Sequence, residues 1–449
     1  MNRPFGCLDA ALVLWLATTA CVPNQAYRLP QSVFEPVRVP AAGPRLDYEA
    51  YSLAFIEFDD IGEFWNRTQP AAALAEIRKW KATGDVVVVI FIHGWKNNAS
   101  ERSGNVWGFR TQLQEIAAQV RGRRVIGVYF GWRGAVTNLG PLDNLTFYNR
   151  RNTAIRIPGA HMTEALNAVM AEAKRGNGSG KHSLCIVVGH SFGGLVLERA
   201  LTQYMVGKVL ELHPVDSQGE SVHPNPSGCH TKEDRKREAP FKPPADLIVF
   251  VNSAAPATES KQFLDLLDCH LLTATQGERN IPLFLSVTSK GDLATGTFMP
   301  IGQFPSKLTK SFRTYDNPFP RGEKNQSAYY LRSTANMGVL QSHEVVIVPD
   351  CAQRNLTPEQ KRICDQLGNT DPNSVPVRPF GPNPSKPNLR FAVLRNLAAW
   401  NKTPYWVMQM PAEMVPDHGT IFTVEFRGLL QQFLQPVMDV QKVRTYSVE

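Results

Sequence analysis

Residues 186–195 read Ile-Val-Val-Gly-His-Ser-Phe-Gly-Gly-Leu, and they carry the most specific chemical pattern in the 449-residue chain. The β-branched residues predict the end of a buried strand, and helical apolar spacing begins at Leu195. Between them, Gly189, Ser191 and Gly193 match the pattern Gly-x-Ser-x-Gly. Glycines suit a turn so sharp that the serine is held at strained backbone angles, because neighbouring Cβ atoms would clash. The pattern predicts a strand-to-helix turn that lifts the Ser191 hydroxyl clear of the sheet. The alternative is a glycine-rich turn around an inert buried serine.

The rest of the chain alternates between strand-like and helical patterns. Residues 85–92 form an almost continuous β-branched run, which is typical of a strand buried on both faces of a parallel sheet. The alternation predicts an α/β fold with a mostly parallel central sheet and helices on both faces. Predicted strands cover residues 54–58, 85–92, 124–130, 183–188, 246–251, 281–287 and 404–410, and predicted helices cover 71–81, 106–120, 154–174, 195–206 and 428–437.

The serine motif in this setting resembles the nucleophile elbow of the α/β-hydrolase superfamily, and the resemblance covers roughly residues 50–440. It implies the α/β-hydrolase fold with long inserts. A His-Gly pair before Trp95 is similar to the family motif that follows the third strand. In the family, the backbone N–H groups after that glycine and after the nucleophile stabilise the oxyanion. The resemblance therefore implies an oxyanion hole formed by Trp95 and Phe192, with His93 in a structural role.

The same resemblance implies the two partners of the serine. The superfamily order is serine, acid, histidine, and the acid stands in the loop after a late strand. Asp292 ends the segment that follows strand 281–287, and His418 follows the last predicted strand. His418 is expected to accept the proton of Ser191 as general base, and Asp292 to orient the imidazole and stabilise its charged form.

Other residues compete for these roles less well. His343 also lies late in the chain, but it precedes an apolar run instead of following one. Asp265 and Asp268 precede the strand that the acid should follow. A serine at the elbow does not support dehalogenase or epoxide-hydrolase chemistry, which needs an aspartate there. The spacing of the glycines at 176–180 does not match a phosphate-binding loop.

The resemblance implies a serine esterase or lipase-like enzyme that acts on a small-molecule or lipid ester. The sequence does not identify the acyl group, and a thioesterase, amidase, peptidase or acyltransferase can use the same three residues. A non-catalytic binding protein on a hydrolase scaffold is the alternative from another class. No metal or organic cofactor is expected, and the oligomeric state stays open.

Residues 1–21 have the shape of an export signal, with Arg3 before a short apolar core at 10–17 and small residues before Cys21. This resembles a bacterial lipoprotein signal, in which the cysteine becomes the lipidated first residue. The resemblance implies an exported protein tethered to a membrane of the cell envelope through Cys21. Ordinary secretion, or a structural N-terminal segment, remains an alternative.

The remaining chain divides into a linker and one domain. Residues 22–45 are Pro-rich and predict a linker, and residues 46–449 predict the hydrolase domain. Two stretches, at about 207–245 and 293–403, are rich in turn formers and predict lid-like inserts.

The cysteines fit an exported protein. Cys185 lies in a strand-like apolar run and predicts a buried thiol. Cys351–Cys364 and Cys229–Cys269 are plausible disulfides, although four cysteines allow three pairings. A zinc site is disfavoured because no CxxC or HxxxH spacing appears.

Charge and hydropathy exclude two further classes. The formal net charge is +8, but basic residues are scattered, so nucleic-acid binding is not expected. No apolar run reaches the ~20 residues of a membrane-spanning helix, which excludes a polytopic membrane protein.

Overall fold

The computed structural model of the protein describes residues 22–28, 37–39, 48–120, 122–137, 143–144, 146–177, 182–210, 243–269, 272–274, 282–312, 314, 326–368, 389–395, 404–439 and 446–448. The predicted signal with Cys21 lies outside the described residues. So do Cys229, with the predicted Cys229–Cys269 bridge, and most of the predicted insert at 207–245. Of the predicted insert at 293–403, residues 313, 315–325, 369–388 and 396–403 also lie outside.

Strands form where the chain carries β-branched and aromatic runs. The described strands are β1 (Val37–Val39), β2 (Tyr48–Glu57), β3 (Val86–Ile92), β4 (Arg124–Gly131), β5 (Leu184–His190), β6 (Leu247–Val251), β7 (Leu272–Ala274), β8 (Phe284–Ser289), β9 (His343–Ile347), β10 (Phe391–Arg395), β11 (Tyr405–Met410) and β12 (Tyr446–Val448).

The central sheet has ten strands in the order β1-β2-β4-β3-β5-β6-β8-β11-β9-β10. All pairs from β2 to β9 are parallel. The strands at both edges, β1 and β10, pair antiparallel with their neighbours. A separate pair is formed by β7 and β12. The predicted mostly parallel α/β sheet is therefore confirmed.

Helices connect the strands as crossovers. The described α-helices are α1 (Thr68–Thr83), α2 (Gly104–Gln119), α3 (Phe147–Arg156), α4 (His161–Lys174), α5 (Phe192–Leu210), α6 (Ala257–Cys269), α7 (Met299–Lys307), α8 (Ser327–Leu331), α9 (Pro358–Gly368) and α10 (Val424–Asp439). A π-helical turn, Ala294–Phe298, precedes α7. No helix in the described part of the chain is both long enough and apolar enough to cross a membrane.

Alternate side chains of the central strands build two apolar layers. In β3 every residue is buried, with Val88 and Ile90 in one core and Val89 and Phe91 in the other. The first core contains residues of α1, α4, α5 and α6, and the second contains residues of α2 and α10. Helices thus cover both faces, which explains why the strands are apolar at successive positions.

The predicted continuous helix over 154–174 is wrong. Helix α3 ends at Arg156, a 3₁₀ turn covers Ile157–Gly159, and α4 begins at His161. Pro158 lacks a backbone N–H and its ring crowds the preceding helical turn, which favours a break in the helix at this position.

Part of the predicted insert at 293–403 belongs to the main sheet. Strands β9 and β10 extend the sheet beyond β11, and α9 packs its Ile363 against Val346 and Leu394 in a small core. The disulfide Cys351–Cys364, with a Cα–Cα distance of 5.8 Å, ties α9 to the loop after β9. This pairing was one of those the sequence predicted. Cys185 is a free, buried thiol, also as predicted, and burial raises its pKa.

Residues 22–28 of the predicted linker are packed on the domain. The carboxylate of Glu57 accepts the backbone N–H groups of Tyr27 and Arg28 at 2.7 and 2.9 Å. The Arg28 guanidinium lies 4.0 Å from the centre of the Phe55 ring and donates to Ala99 O. The first residues of the predicted linker are therefore attached to the surface of the domain.

Candidate active site

The predicted site residues meet at one edge of the sheet. Ser191 follows β5, Asp292 follows β8 and His418 follows β11, and these strands are parallel members of one sheet. Because parallel strands end at the same edge, loops from distant parts of the sequence converge there. The side chain of Asp292 is fully buried, and that of His418 is 22% exposed.

The backbone of Ser191 has a strained conformation, with a φ of 58°. A non-glycine residue rarely adopts such a φ, and it persists only where the surroundings hold it. The Ser191 N–H donates to Val251 O at 3.0 Å, and the Ser191 carbonyl accepts from Ala254 N at 3.1 Å. The turn is thus fixed from the neighbouring strand β6, and the predicted sharp strand-to-helix turn is present.

Two glycines allow this turn to lie against the loop after β3. A Cβ on Gly193 would lie 2.6 Å from His93 O and even closer to Ile92 O. A Cβ on Gly94 would lie 2.5 Å from the Cβ of Ser191. Gly189 is similarly enclosed by the backbone of Gly193 and Gly194. Any side chain at these positions would push the serine away from the loop that contacts it.

Three side chains form a continuous hydrogen-bonded chain. The Ser191 hydroxyl lies 2.5 Å from Nε2 of His418, and Nδ1 of His418 lies 2.9 Å from Oδ1 of Asp292. A carboxylate can only accept, so the proton on the imidazole is assigned to Nδ1. Nε2 is then free to accept the proton of the serine hydroxyl.

Asp292 is held as a carboxylate by its own loop. Its Oδ2 accepts the Thr295 hydroxyl at 2.5 Å, and its Oδ1 accepts the N–H groups of Ala294 and Thr295 at 2.9 and 3.1 Å. Burial alone would raise its pKa, but hydrogen bonds from His418 and Thr295 and the attraction of a charged imidazole outweigh it, so the pKa of Asp292 lies below its usual value. The group is therefore ionised at neutral pH.

Two residues that the sequence did not identify support the histidine loop. The His418 carbonyl accepts a hydrogen bond from His190 Nε2 at 2.8 Å and from the Asn252 amide at 3.3 Å. Burial lowers the pKa of His190 to about 3, so His190 is neutral at physiological pH. Asn252 has a φ of 45°, in the left-handed region that asparagine tolerates. The one sequence signal for a role of Asn252 at the site was its position directly after the predicted strand 246–251.

The two predicted oxyanion donors lie beside Ser191. Phe192 is the first residue of α5, where backbone N–H groups lack a partner within the helix. Trp95 follows Gly94, which contacts Ser191. Within the described ranges, neither N–H donates a hydrogen bond to a protein acceptor. Both groups are free to bind an added oxygen.

His93 has a structural environment. It is fully buried, its ring stacks on Trp132, its Nε2 accepts the Trp132 N–H at 3.0 Å, and its Nδ1 lies 2.9 Å from Gly94 O. Burial lowers its pKa to about 4. The neutral imidazole therefore links the Gly94 loop to the end of β4.

The competing residues lie elsewhere. His343 is buried in β9, where its ring stacks on Trp406 at 3.8 Å and its Nδ1 bonds the Ser342 hydroxyl at 2.9 Å. Asp265 and Asp268 lie in α6, before β8. Of the histidines that the structure describes, His418 is the one that contacts the Ser191 hydroxyl.

The arrangement can transfer a proton from a serine hydroxyl to an imidazole whose other nitrogen is held by a carboxylate. Within the described ranges, no group of three or more His, Cys, Asp or Glu side chains could hold a metal ion. Comparison of the chain with protein-family models, with curated proteins and with solved structures finds no significant match.

Proposed function

We propose that the protein is a serine hydrolase of the α/β-hydrolase superfamily that cleaves carboxylic esters. The observation that carries the proposal is the hydrogen-bonded chain Ser191–His418–Asp292 at the carboxyl edge of a parallel sheet. The three residues also occur along the chain in the superfamily order of serine, acid and histidine. Each of them follows a strand of the parallel sheet: β5, β8 and β11 respectively.

In the first half-reaction, Ser191 Oγ attacks the ester carbonyl carbon while its proton moves to His418 Nε2. Asp292 stabilises the imidazolium through Nδ1–H. The carbonyl π bond opens, and its electron pair becomes the oxyanion of a tetrahedral intermediate. When this intermediate collapses, the bond to the alkoxy group breaks and His418 gives its proton to the departing alcohol. An acyl group then remains on Ser191.

The oxyanion would be held by the N–H groups of Trp95 and Phe192. Donors that are already in place when negative charge develops stabilise the transition state without reorganisation. Phe192 also begins α5, whose dipole favours negative charge at its N-terminus. The second half-reaction repeats these steps with water, which His418 deprotonates, and releases the acid.

An aromatic cluster favours an apolar acyl group. The rings of Trp95 and Phe147 lie 5.2 Å apart, and those of Phe147 and Phe192 lie 5.1 Å apart. Trp95 and Phe147 are partly exposed beside the serine loop. Such a wall contacts a hydrocarbon chain without requiring polar partners.

The protein is further proposed to work outside the cytoplasm, at the cell envelope. The disulfide Cys351–Cys364 supports this location because disulfides persist in oxidising compartments. Tethering through a lipid on Cys21 belongs to the same proposal and rests on the sequence of residues 1–21.

The proposal is tested with the full chain and a series of p-nitrophenyl esters of increasing acyl length. We expect Ser191→Ala to lower kcat by about 10³-fold or more, because removal of the nucleophile leaves only binding and oxyanion stabilisation. Ser100→Ala, in the loop after β3, removes a different serine hydroxyl and serves as the control. Equal hydrolysis by Ser191→Ala and the parent protein would overturn the proposal.

A further inference from the structure

An unusual share of the exposed apolar side chains lies in one short segment. Of the ten large hydrophobic side chains exposed in the described part of the chain, five lie between residues 293 and 308. Their exposures range from 51% to 73%. Single exposed hydrophobic residues are ordinary, but a contiguous group marks an interaction site. We call this group the apolar face; it comprises Leu293, Phe298, Ile301, Phe304 and Leu308.

Four of the five members of the apolar face follow helical spacing along α7 and the residues that cap it, and Leu293 precedes the π-helical turn. Phe298, Ile301, Phe304 and Leu308 are three or four positions apart, which places them in one stripe. The opposite side of the helix holds Met299 and Gln303, both buried. The helix is therefore attached to the domain by one side while its outward side is apolar, the reverse of an ordinary surface helix.

Polar contacts fix this orientation. Arg151 donates to the Gln303 side chain at 3.3 Å, and Tyr148 donates its hydroxyl to Gly302 O at 2.9 Å. The hydroxyls of Ser306 and Tyr330 are 2.5 Å apart. These bonds hold the apolar face outward, and its side chains are exposed among the residues that the structure describes.

The segment that carries the apolar face is basic. Residues 293–312 contain Lys307 and Lys310 and no Asp or Glu, and the buried Asp292 directly precedes them. Lys307 lies 5.8 Å from the ring of Phe304. An apolar helix face with Phe and Leu, flanked by lysine, has the composition of helices that lie in the interface of an anionic lipid surface.

The apolar face lies at the edge of the sheet that carries the candidate site. Leu293 follows Asp292 directly, and Thr295, which holds Asp292, precedes α7. The packed N-terminal segment begins at the same edge: Val22 N–H donates to Val136 O at 2.8 Å, and Arg133 donates to Val22 O at 2.7 Å, in the loop after β4. The residue before Val22 is Cys21.

We propose that the protein docks on an anionic lipid bilayer through the apolar face of α7, with the carboxyl edge of the sheet toward the lipid. Phe298, Ile301, Phe304 and Leu308 insert between the acyl chains at the interface, and Lys307 and Lys310 lie at the level of the phosphate groups. This inference goes beyond the proposed function, because docking does not require a reactive Ser191.

The test uses the full chain carrying Cys21→Ser, so that no lipid anchor contributes, and vesicles of phosphatidylglycerol and phosphatidylcholine. We expect Ile301→Asp combined with Phe304→Asp to weaken co-sedimentation by about tenfold or more, because charged side chains do not enter the acyl region. Trp107→Asp, which changes an equally exposed aromatic residue on α2, is the matched control and should bind like the Cys21→Ser parent. Pure phosphatidylcholine vesicles should bind the parent more weakly.

A second measurement reports on α7 alone. Amide hydrogen exchange over residues 293–308 should slow on vesicles in the parent and not in the doubly substituted protein, while α2 exchanges equally in both. Unchanged exchange in vesicle-bound parent, or unchanged sedimentation of the double variant, would overturn the proposal. The proposal would also be overturned if the parent protein were a dimer without vesicles, and the double substitution made it a monomer that still bound vesicles. The apolar face would then be a dimer interface. Ser191→Ala should bind vesicles fully, which separates this inference from the esterase proposal.

Discussion

Among the histidines that the structure describes, His418 is the one whose ring joins a buried carboxylate to the hydroxyl of Ser191. Nδ1 faces a buried carboxylate, and Nε2 faces the Ser191 hydroxyl. His343 instead stacks on Trp406 and bonds Ser342. These environments favour His418 over His343 as the proposed general base, and His343 packs against Trp406.

We expect His418→Ala to lower kcat/KM for a soluble ester by about 10³-fold or more, because the serine loses its proton acceptor. His343→Ala should change kcat/KM by less than about tenfold, and lower the free energy of unfolding by about 3 kcal/mol through a buried cavity. Steady-state kinetics and urea unfolding of both variants check this. The opposite ranking of the two activities would reassign the base.

Asp292→Asn keeps the size of the side chain and removes its charge. The amide can donate to Nδ1, which turns the imidazole to the tautomer that cannot accept the serine proton. We therefore expect kcat to fall by about 10³- to 10⁴-fold, as when other triads lose their acid. Asp417→Asn is the matched control, since Asp417 adjoins His418 but accepts hydrogen bonds from Gly419 and Thr420 only. Equal losses in both variants would contradict the assignment.

At the scale of elements, the first turn of α5 is enclosed by the backbone of its neighbours. Gly193 and Gly207 lie in this one helix, but a Cβ on Gly193 would collide with the backbone of β3 and the loop that follows it, whereas a Cβ on Gly207 would meet nothing within 4 Å. The same substitution should thus have opposite effects at the two ends of the helix.

We expect Gly193→Ala to yield protein that is unfolded or inactive, because rigid backbone atoms cannot move away from the methyl group. Gly207→Ala should raise the free energy of unfolding by about 0.5–1 kcal/mol, because alanine loses less backbone entropy in a helix. Thermal unfolding followed by circular dichroism measures both. Normal stability of the Gly193→Ala protein would show that the turn can relax.

The elements with strong sequence patterns could be predicted, and those that depend on distant partners could not. The buried run at 85–92 and the glycine turn around Ser191 are local signals, and the structure contains both. Strands β9 and β10 are short, lie in a turn-rich stretch and are stabilised by pairing with each other and with β11. Likewise, His190 and Asn252 support His418 across the sheet, a relation that no local spacing reveals.

At the scale of the whole molecule, three buried histidines make stability depend on pH. Burial lowers the pKa of His93 to about 4, and of His190 and His343 to about 3, from an ordinary value of 6.5. At a pH between the lowered pKa of the folded protein and the ordinary pKa of 6.5, each of these histidines is protonated in the unfolded chain and neutral in the folded protein. Stability is therefore complete above about pH 6.5 and falls as the pH decreases.

We expect His343→Phe to reduce this dependence. The ring can still stack on Trp406, but one titrating group is removed, so the slope of unfolding free energy against pH should decrease by about 1.4 kcal/mol per pH unit between about pH 4 and pH 6. Urea midpoints of the variant and the parent protein across this range give the slopes. Parallel slopes would mean that His343 is protonated in the folded protein.

Activation of Ser191 by His418 can be tested directly by covalent labelling. A fluorophosphonate probe reacts with activated serines, so the full chain should be labelled at one site, located at Ser191 by mass spectrometry. Labelling should vanish in Ser191→Ala and become far slower in His418→Ala. Absence of labelling in folded parent protein, or equal labelling of Ser191→Ala, would contradict the account.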